Sequence, residues 1–247
     1  MKNIVLVGAT SGMAMAVARL CAERNDRLFL VARDETKLKM LSQDLYARGS
    51  DKVGTFSLDV NDIEKHRDMF DEAENTLGGC IDLVIIAHGT LPDQIECQKL
   101  VDSALREFNT NAVSTMALLT ELANRFEKQK SGTIAVISSV AGDRGRPSNY
   151  VYGAAKAAVS TYLEGLRARL FKSGVHVLDI KPGFVATPMT QDLELPDLLT
   201  VTPDKVAKDI ISAIEKKRDV IYTPFFWKYI MLIIKSIPRT VFKRLGL

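Results

Sequence analysis

The chain has 247 residues, 47% of them hydrophobic, which is enough to bury one large core. A net charge of only +3 excludes a general electrostatic affinity for nucleic acid. Three cysteines, Cys21, Cys80 and Cys97, form no metal-type spacing, so no metal site is expected and reduced thiols in a cytoplasmic protein are.

In chain order, the first apolar run is Ile4–Val7, a strand far too short for a signal peptide or a membrane span. Gly8-Ala9-Thr10-Ser11-Gly12 follows it and opens a helix at Met13–Ala22. Glycines let a backbone approach a phosphate closely, and a helix N-terminus supplies amide donors and a positive dipole. Gly8, Thr10, Ser11, Gly12 and Met13 are therefore read as a phosphate-binding turn rather than an ordinary strand-to-helix turn. The second strand, Leu28–Ala32, ends at Arg33. An NAD site wants an acid there for the ribose hydroxyls, whereas a 2′-phosphate wants a cation with fork geometry. Ala32 leaves the acidic position empty, so NADP(H) is the expected cofactor and Arg33 its phosphate partner; a solvated surface arginine is the alternative. Asp34 reads as the cap of a helix at Glu35–Arg48. Asp59, after a third strand at Val53–Leu58, is either an acceptor for the adenine amino group or a turn residue.

A helix at Ile63–Thr76 and a strand at Leu83–Ala87 lead to His88-Gly89, then to a long helical stretch, Lys99–Lys128, that contains Asn111. Strand Thr133–Ser138 ends beside Ser139. Helix Tyr152–Ser173, strand Val175–Ile180, helix Pro203–Lys217 and strand Val220–Tyr222 complete the pattern. Continuous apolar strands alternating with amphipathic helices predict an α/β fold: a single-domain, Rossmann-like, doubly wound parallel sheet of about seven strands. It should occupy residues 1–223, followed by a C-terminal amphipathic helical tail at 224–247.

Tyr152 and Lys156 are four apart, so they share one helical face. A nearby cation favours phenolate, which makes a tyrosine a usable proton donor and acceptor near neutral pH. A free phenol titrates near about 10, so Lys156 and a cationic oxidised nicotinamide are expected to pull Tyr152 down by a few units. Ser139, at a strand end, can donate to the same carbonyl oxygen.

Gly8-x-x-x-Gly12, Asn111-x-x-Ser114, Ser138-Ser139-Val140-Ala141-Gly142, Tyr152-x-x-x-Lys156 and Pro182-Gly183-Phe184-Val185-x-Thr187 together resemble the short-chain dehydrogenase/reductase superfamily, in its order and spacing from residue 4 to about 190. The resemblance implies Tyr152 as general acid/base and Lys156 as the group that lowers its pKa and holds the nicotinamide ribose. It also implies Ser139 as the group orienting the substrate carbonyl and Asn111 as the holder of a relay water. Gly89, Pro182, Gly183, Val185 and Thr187 would join the cofactor site, and a homodimer or homotetramer is implied. Two positions depart from the pattern: Ala14 stands for a third glycine, and Ile86-Ala87-His88-Gly89 replaces an asparagine-rich turn. His88 is then either a substrate contact or a turn residue.

From Val220 onward there is no acid and there are five cations, Lys228, Lys235, Arg239, Lys243 and Arg244. The tail can lie in a membrane interface, pack in an oligomer contact, or cap the substrate pocket. Ser138 to Gly153, Val201 to Val206 and the basic tail are similar to a branch that reduces decaprenylphosphoryl 2-keto-sugars at the membrane face. The expected substrate is therefore a small-molecule or lipid-linked carbonyl compound, and the expected location cytoplasmic or peripheral at the inner membrane face. Arg144 and Arg146 can meet a phosphate or remain solvated loop charges, and the polar, Pro-broken segment 184–201 suits a mobile lid. A non-catalytic NADP-binding sensor of the same fold is the reading from another class.

Overall fold

The computed structural model describes residues 1–191 and 194–245. Seven strands form one parallel sheet: β1 (Asn3–Val7), β2 (Arg27–Ala32), β3 (Val53–Ser57), β4 (Leu83–Ile86), β5 (Thr133–Ile137), β6 (His176–Pro182) and, at the far edge, β9 (Val220–Thr223). β7 (Phe184–Val185) and β8 (Thr200–Val201) form a separate short parallel pair. The sheet order is β3-β2-β1-β4-β5-β6-β9, so the chain winds outward from β1 to β3 and then returns to β4. Ligands bind where such a sheet reverses its winding, at the carboxyl ends of the strands.

The helices are α1 (Gly12–Ala22), α2 (Glu35–Ala47), α3 (His66–Leu77), α4 (Gln94–Cys97), α5 (Val101–Phe108), α6 (Ser114–Gln129), α7 (Tyr150–Leu170), α8 (Pro203–Glu215), α9 (Trp227–Ser236) and α10 (Arg239–Phe242). They cover both faces of the sheet, which explains the lack of polar alternation in the strands. In β1, Ile4 and Leu6 pack into the core under α1, α2 and α8, while Val5 and Val7 pack into the core under α3, α6 and α7. Each such side chain stabilises the fold by about 1.5–3 kcal/mol relative to exposure.

The long helix expected at 99–128 is interrupted. Asn109–Val113 forms a π-helical turn between α5 and α6, and Asn111 sits inside it, fully buried. Asp34 caps α2 as expected, accepting the Lys37 amide at 2.9 Å. The segment expected as a free lid is tied at both ends by the β7–β8 pair, Phe184 opposite Thr200 and Val185 opposite Val201. Two of its residues, Asp192 and Leu193, lie outside the described residues.

The tail is built into the fold on its inner side. Trp227 and Met231 are buried with Val140, and Phe184, Leu199 and Tyr222 pack against them. The carbonyls at the end of α9 are held by Arg144, which donates to Ile234, Lys235 and Ile237 at 2.5, 3.0 and 2.8 Å and stacks over the Phe242 ring at 3.8 Å. Arg144 is thus neither a phosphate ligand nor a solvated charge; it is the clasp of the tail. Arg146 is partly buried, its Nε has no partner, and burial holds its guanidinium below the usual range, so it is not a solvated charge either.

Candidate active site

Two cavities meet at the carboxyl edge of the sheet. The first, of about 260 Å³, is lined by Gly8, Thr10, Ser11, Gly12, Met13 and Arg33, and reaches Asp59, Gly89 and Thr187. The second, of about 90 Å³, is lined by Ser139, Tyr152, Lys156, Pro182, Gly183 and Val185. Met13, Gly89 and Thr187 belong to both walls. All the sequence-predicted site residues therefore line one continuous recess, except Asn111.

The turn after β1 is fixed by two amides, Gly8 and Ala9, which both donate to Val31 O at 2.8 and 3.0 Å. Ser11 caps α1 by accepting the Ala14 amide at 3.3 Å, and Ala14, in the place of a third glycine, is fully buried without displacing the helix. Gly12 and Met13 bring the first amides of α1 to the cavity wall, where the helix dipole favours an anion. Asp59 takes part in its own turn, accepting the Asn61 amide at 2.9 Å and its side-chain nitrogen at 3.0 Å, and it also lines the cavity. Arg33 is exposed at the cavity wall and forms no ion pair among the described residues. An amide-lined turn at one end and an unpaired guanidinium beyond β2 fit the pyrophosphate and ribose phosphate of a dinucleotide.

Ser139 reaches Tyr152 because two glycines let its loop lie directly on α7. A Cβ on Gly142 would sit 2.8 Å from the Ala157 amide nitrogen, and one on Gly153 would sit 2.8 Å from the Ala141 carbonyl oxygen. Ser139 starts a short 3-10 turn, Val140–Asp143, by accepting the Ala141 amide at 3.1 Å. The far end of that turn is anchored in a buried polar cluster that the sequence did not reveal. Asp143 accepts from Lys181 Nζ and from the Tyr222 hydroxyl, both at 2.6 Å, and buried Asp179 pairs with the Ser138 hydroxyl next to Ser139.

Lys156 is buried, donates to Ile137 O at 3.2 Å, and lies 5.7 Å from the centre of the Tyr152 ring. Burial pushes it down to about 8, with Asp179 opposing. The expected lowering of Tyr152 is absent from the chain alone. Burial pushes the phenol above its ordinary value, and its hydrogen bond with Ser139 only partly offsets this. Desolvation of the buried ring is the larger effect and the hydrogen bond with Ser139 the smaller.

Asn111 lies behind the wall rather than on it. Its Oδ1 accepts the Thr90 amide at 3.0 Å, and its Nδ2 donates to Thr90 Oγ1 and Glu107 O, both at 3.0 Å. Only Gly89 separates it from the lysine: a Cβ there would come 2.8 Å from Asn111 Oδ1 and 3.4 Å from Lys156 Nζ.

His88 follows β4 on the wall of both cavities, with its Nε2 turned toward α6. Its Nε2 lies 2.9 Å from Ser114 Oγ and 3.1 Å from Thr115 Oγ1, tying the end of β4 to the start of α6. It thereby does the work of the missing asparagine-rich turn. Burial, with the Lys156 charge second, pushes His88 down to about 3. An unfolded histidine titrates near about 6.5, so between those values only the unfolded chain takes up the proton and stability falls with falling pH. From pH 6.5 to 5 this should cost roughly 2 kcal/mol. Urea unfolding at pH 7 and pH 5 should show a larger loss in the wild type than in His88→Asn, whose remaining loss comes from His66 and His176, also held down by burial; equal losses in both would refute it.

The sequence profile described as "short chain dehydrogenase" matches residues 2–197. An uncharacterized oxidoreductase of Mycobacterium tuberculosis (strain ATCC 25618 / H37Rv) is 32% identical over 244 residues, covering 98% of this chain and 96% of that protein. One of Staphylococcus aureus (strain NCTC 8325 / PS 47) is 30% identical over 223 residues, covering 89% and 93%. Among solved structures, a short-chain dehydrogenase from Sphingobium yanoikuyae in complex with NADPH superposes with a TM-score of 0.82 at 24% identity, covering 96% of this chain and 97% of that one. A variant of actinorhodin polyketide ketoreductase with NADPH gives 0.77 at 22% identity, covering 86% and 90%. These two likenesses concern the fold.

Proposed function

The chain belongs to the short-chain dehydrogenase family, an oxidoreductase family using a nicotinamide cofactor, and from that premise we propose that it interconverts a ketone and a secondary alcohol with NADP(H). The observation that carries the reading is the meeting of Ser139, Tyr152 and Lys156 on the wall of a cavity continuous with the amide-lined turn and Arg33. Gly8, Thr10, Ser11, Gly12 and Met13 would hold the pyrophosphate, Arg33 the 2′-phosphate, and Gly183, Val185 and Thr187 the nicotinamide end. The bound nicotinamide supplies or accepts the hydride at C4.

In reduction, Tyr152 gives its hydroxyl proton to the carbonyl oxygen as that oxygen becomes an alcohol, and Ser139 donates a hydrogen bond to the same oxygen. Lys156 stabilises the phenolate left behind, with Asn111 supporting the relay through the Gly89 turn. The NADPH named in the two solved neighbours supports the cofactor choice. A lipid-linked keto-sugar or similar amphipathic ketone is the substrate class, supported by an apolar tail packed against the pocket loop. The site lies in a homodimer or homotetramer, as is usual for the family.

The test of the cofactor assignment is calorimetric binding of NADPH and NADH to the wild type and Arg33→Ala. The guanidinium–phosphate pair should make NADPH the tighter ligand, and its removal should weaken NADPH at least tenfold while leaving NADH unchanged. Equal losses for both nucleotides, or tighter NADH binding in the wild type, would show that Arg33 does not read the phosphate.

A further inference from the structure

We propose that the outer face of α9, with the groove between α10 and the loop carrying Arg144, docks on a bilayer surface of anionic phospholipid. The inner face of α9 is accounted for: Trp227 and Met231 are buried, with Ile230 and Ile234 packed beside them. On an α-helix, residues 229, 232 and 233 project to the opposite side. There Tyr229, Leu232 and Ile233 are 59%, 63% and 67% exposed, and Phe225, just before the helix, is 73% exposed. A helix apolar on both sides, on the surface of the molecule, has one side unpartnered.

The charges around that face select its partner. Lys228 and Lys235 flank it, Arg239, Lys243 and Arg244 follow, and no acid occurs from Val220 to the end of the chain. The groove, of about 640 Å³, is lined by Arg144, Lys235, Arg239 and Lys243, and its one acid, Asp143, is already paired with Lys181 and Tyr222. Arg144 is already engaged with the carbonyls at the end of α9, so the groove offers Lys235, Arg239 and Lys243 to a phosphodiester headgroup. A second copy of the chain is a poor occupant, because a two-fold contact would bring the same cations against their own images. No helix among the described residues is long and apolar enough to cross a membrane, so the contact is interfacial: rings and branched side chains at the headgroup boundary, cations against lipid phosphate. This goes beyond the catalytic reading and does not depend on it.

The experiment is co-sedimentation of the full chain with vesicles of phosphatidylcholine alone and with phosphatidylglycerol-rich vesicles, at low and high salt, with no turnover measured. The wild type should partition at least tenfold more strongly onto the anionic vesicles and be released by salt. Leu232→Ser with Ile233→Ser, which alters only exposed side chains, should weaken partition about tenfold. Lys235→Glu with Arg239→Glu and Lys243→Glu should abolish it. Both variants should keep the wild-type melting temperature and NADPH affinity, which separates lost docking from lost folding. Equal partition onto both vesicle types, or none onto either, would overturn the proposal. So would a dimer in sedimentation equilibrium that Leu232→Ser with Ile233→Ser converts to monomer, since a second copy would then cover the face.

Discussion

Tyr152→Phe should lower the turnover of ketone reduction by about a thousandfold, within the range that a positioned general acid supplies. The ring stays, so NADPH affinity should remain within about twofold of the wild type and the fold should be unchanged. The change removes only the phenolic hydroxyl: Ser139 and Lys156 keep their places, since Ser139 is held by the Ala141 amide and Lys156 by Ile137 O. Steady-state kinetics with an acyclic or sugar ketone and calorimetric NADPH binding check the two halves separately. Retained turnover would show that another group gives the proton. Cellular function that survives the change would favour the sensor reading.

Gly8→Ala should destabilise the chain by about 3 kcal/mol or more, because overpacking against backbone and a left-handed conformation act together. Gly8 has φ +80°, and a Cβ there would come 2.5 Å from the His88 amide nitrogen and 2.7 Å from its Cα. Neither neighbour is free to move. His88 is held by Ser114 and Thr115, and the Gly8 amide by Val31 O. For a chain of this length the loss should appear as a fall of roughly 10 °C in melting temperature. NADPH binding should fall too, since the turn that would hold the pyrophosphate is the one displaced. A change of melting temperature within one or two degrees would mean that the turns after β1 and β4 are not in contact as described.

These two residues also mark what the sequence could and could not convey. Gly8 and the seven sheet strands were legible, each within about two residues, because a strand buried on both faces has to be an unbroken apolar run. Tyr152 and Lys156 were legible because helical spacing alone puts them on one face. Their electrostatics were not: the raised phenol follows from desolvation, which depends on what the fold packs over the ring. The π-helical turn at Asn109–Val113 leaves no mark in a run of helix-compatible residues, so the predicted helix ran straight through it. Asn111 was legible as a residue, but its place inside that turn, bonded to Thr90, was not. Arg144 was noticed for its charge, yet its partners are carbonyls some ninety residues onward, and no local pattern encodes them. The β7–β8 pair, two residues to a strand, is below the length at which periodicity carries information.

Trp227 is the only tryptophan in the chain, and its indole lies directly against Gly183: a Cβ on that glycine would fall 1.9 Å from the indole Nε1. Its ring is 3% exposed and its Nε1 has no hydrogen-bond partner. The molecule therefore carries one indole fluorophore, excitable apart from its six tyrosines, in a dry setting at the seam between the pocket loop and the tail. Its emission should be blue-shifted at rest and should move to the red when α9 lifts from Gly183. Detachment of the tail and opening of the pocket thus share a single optical signal that needs no label.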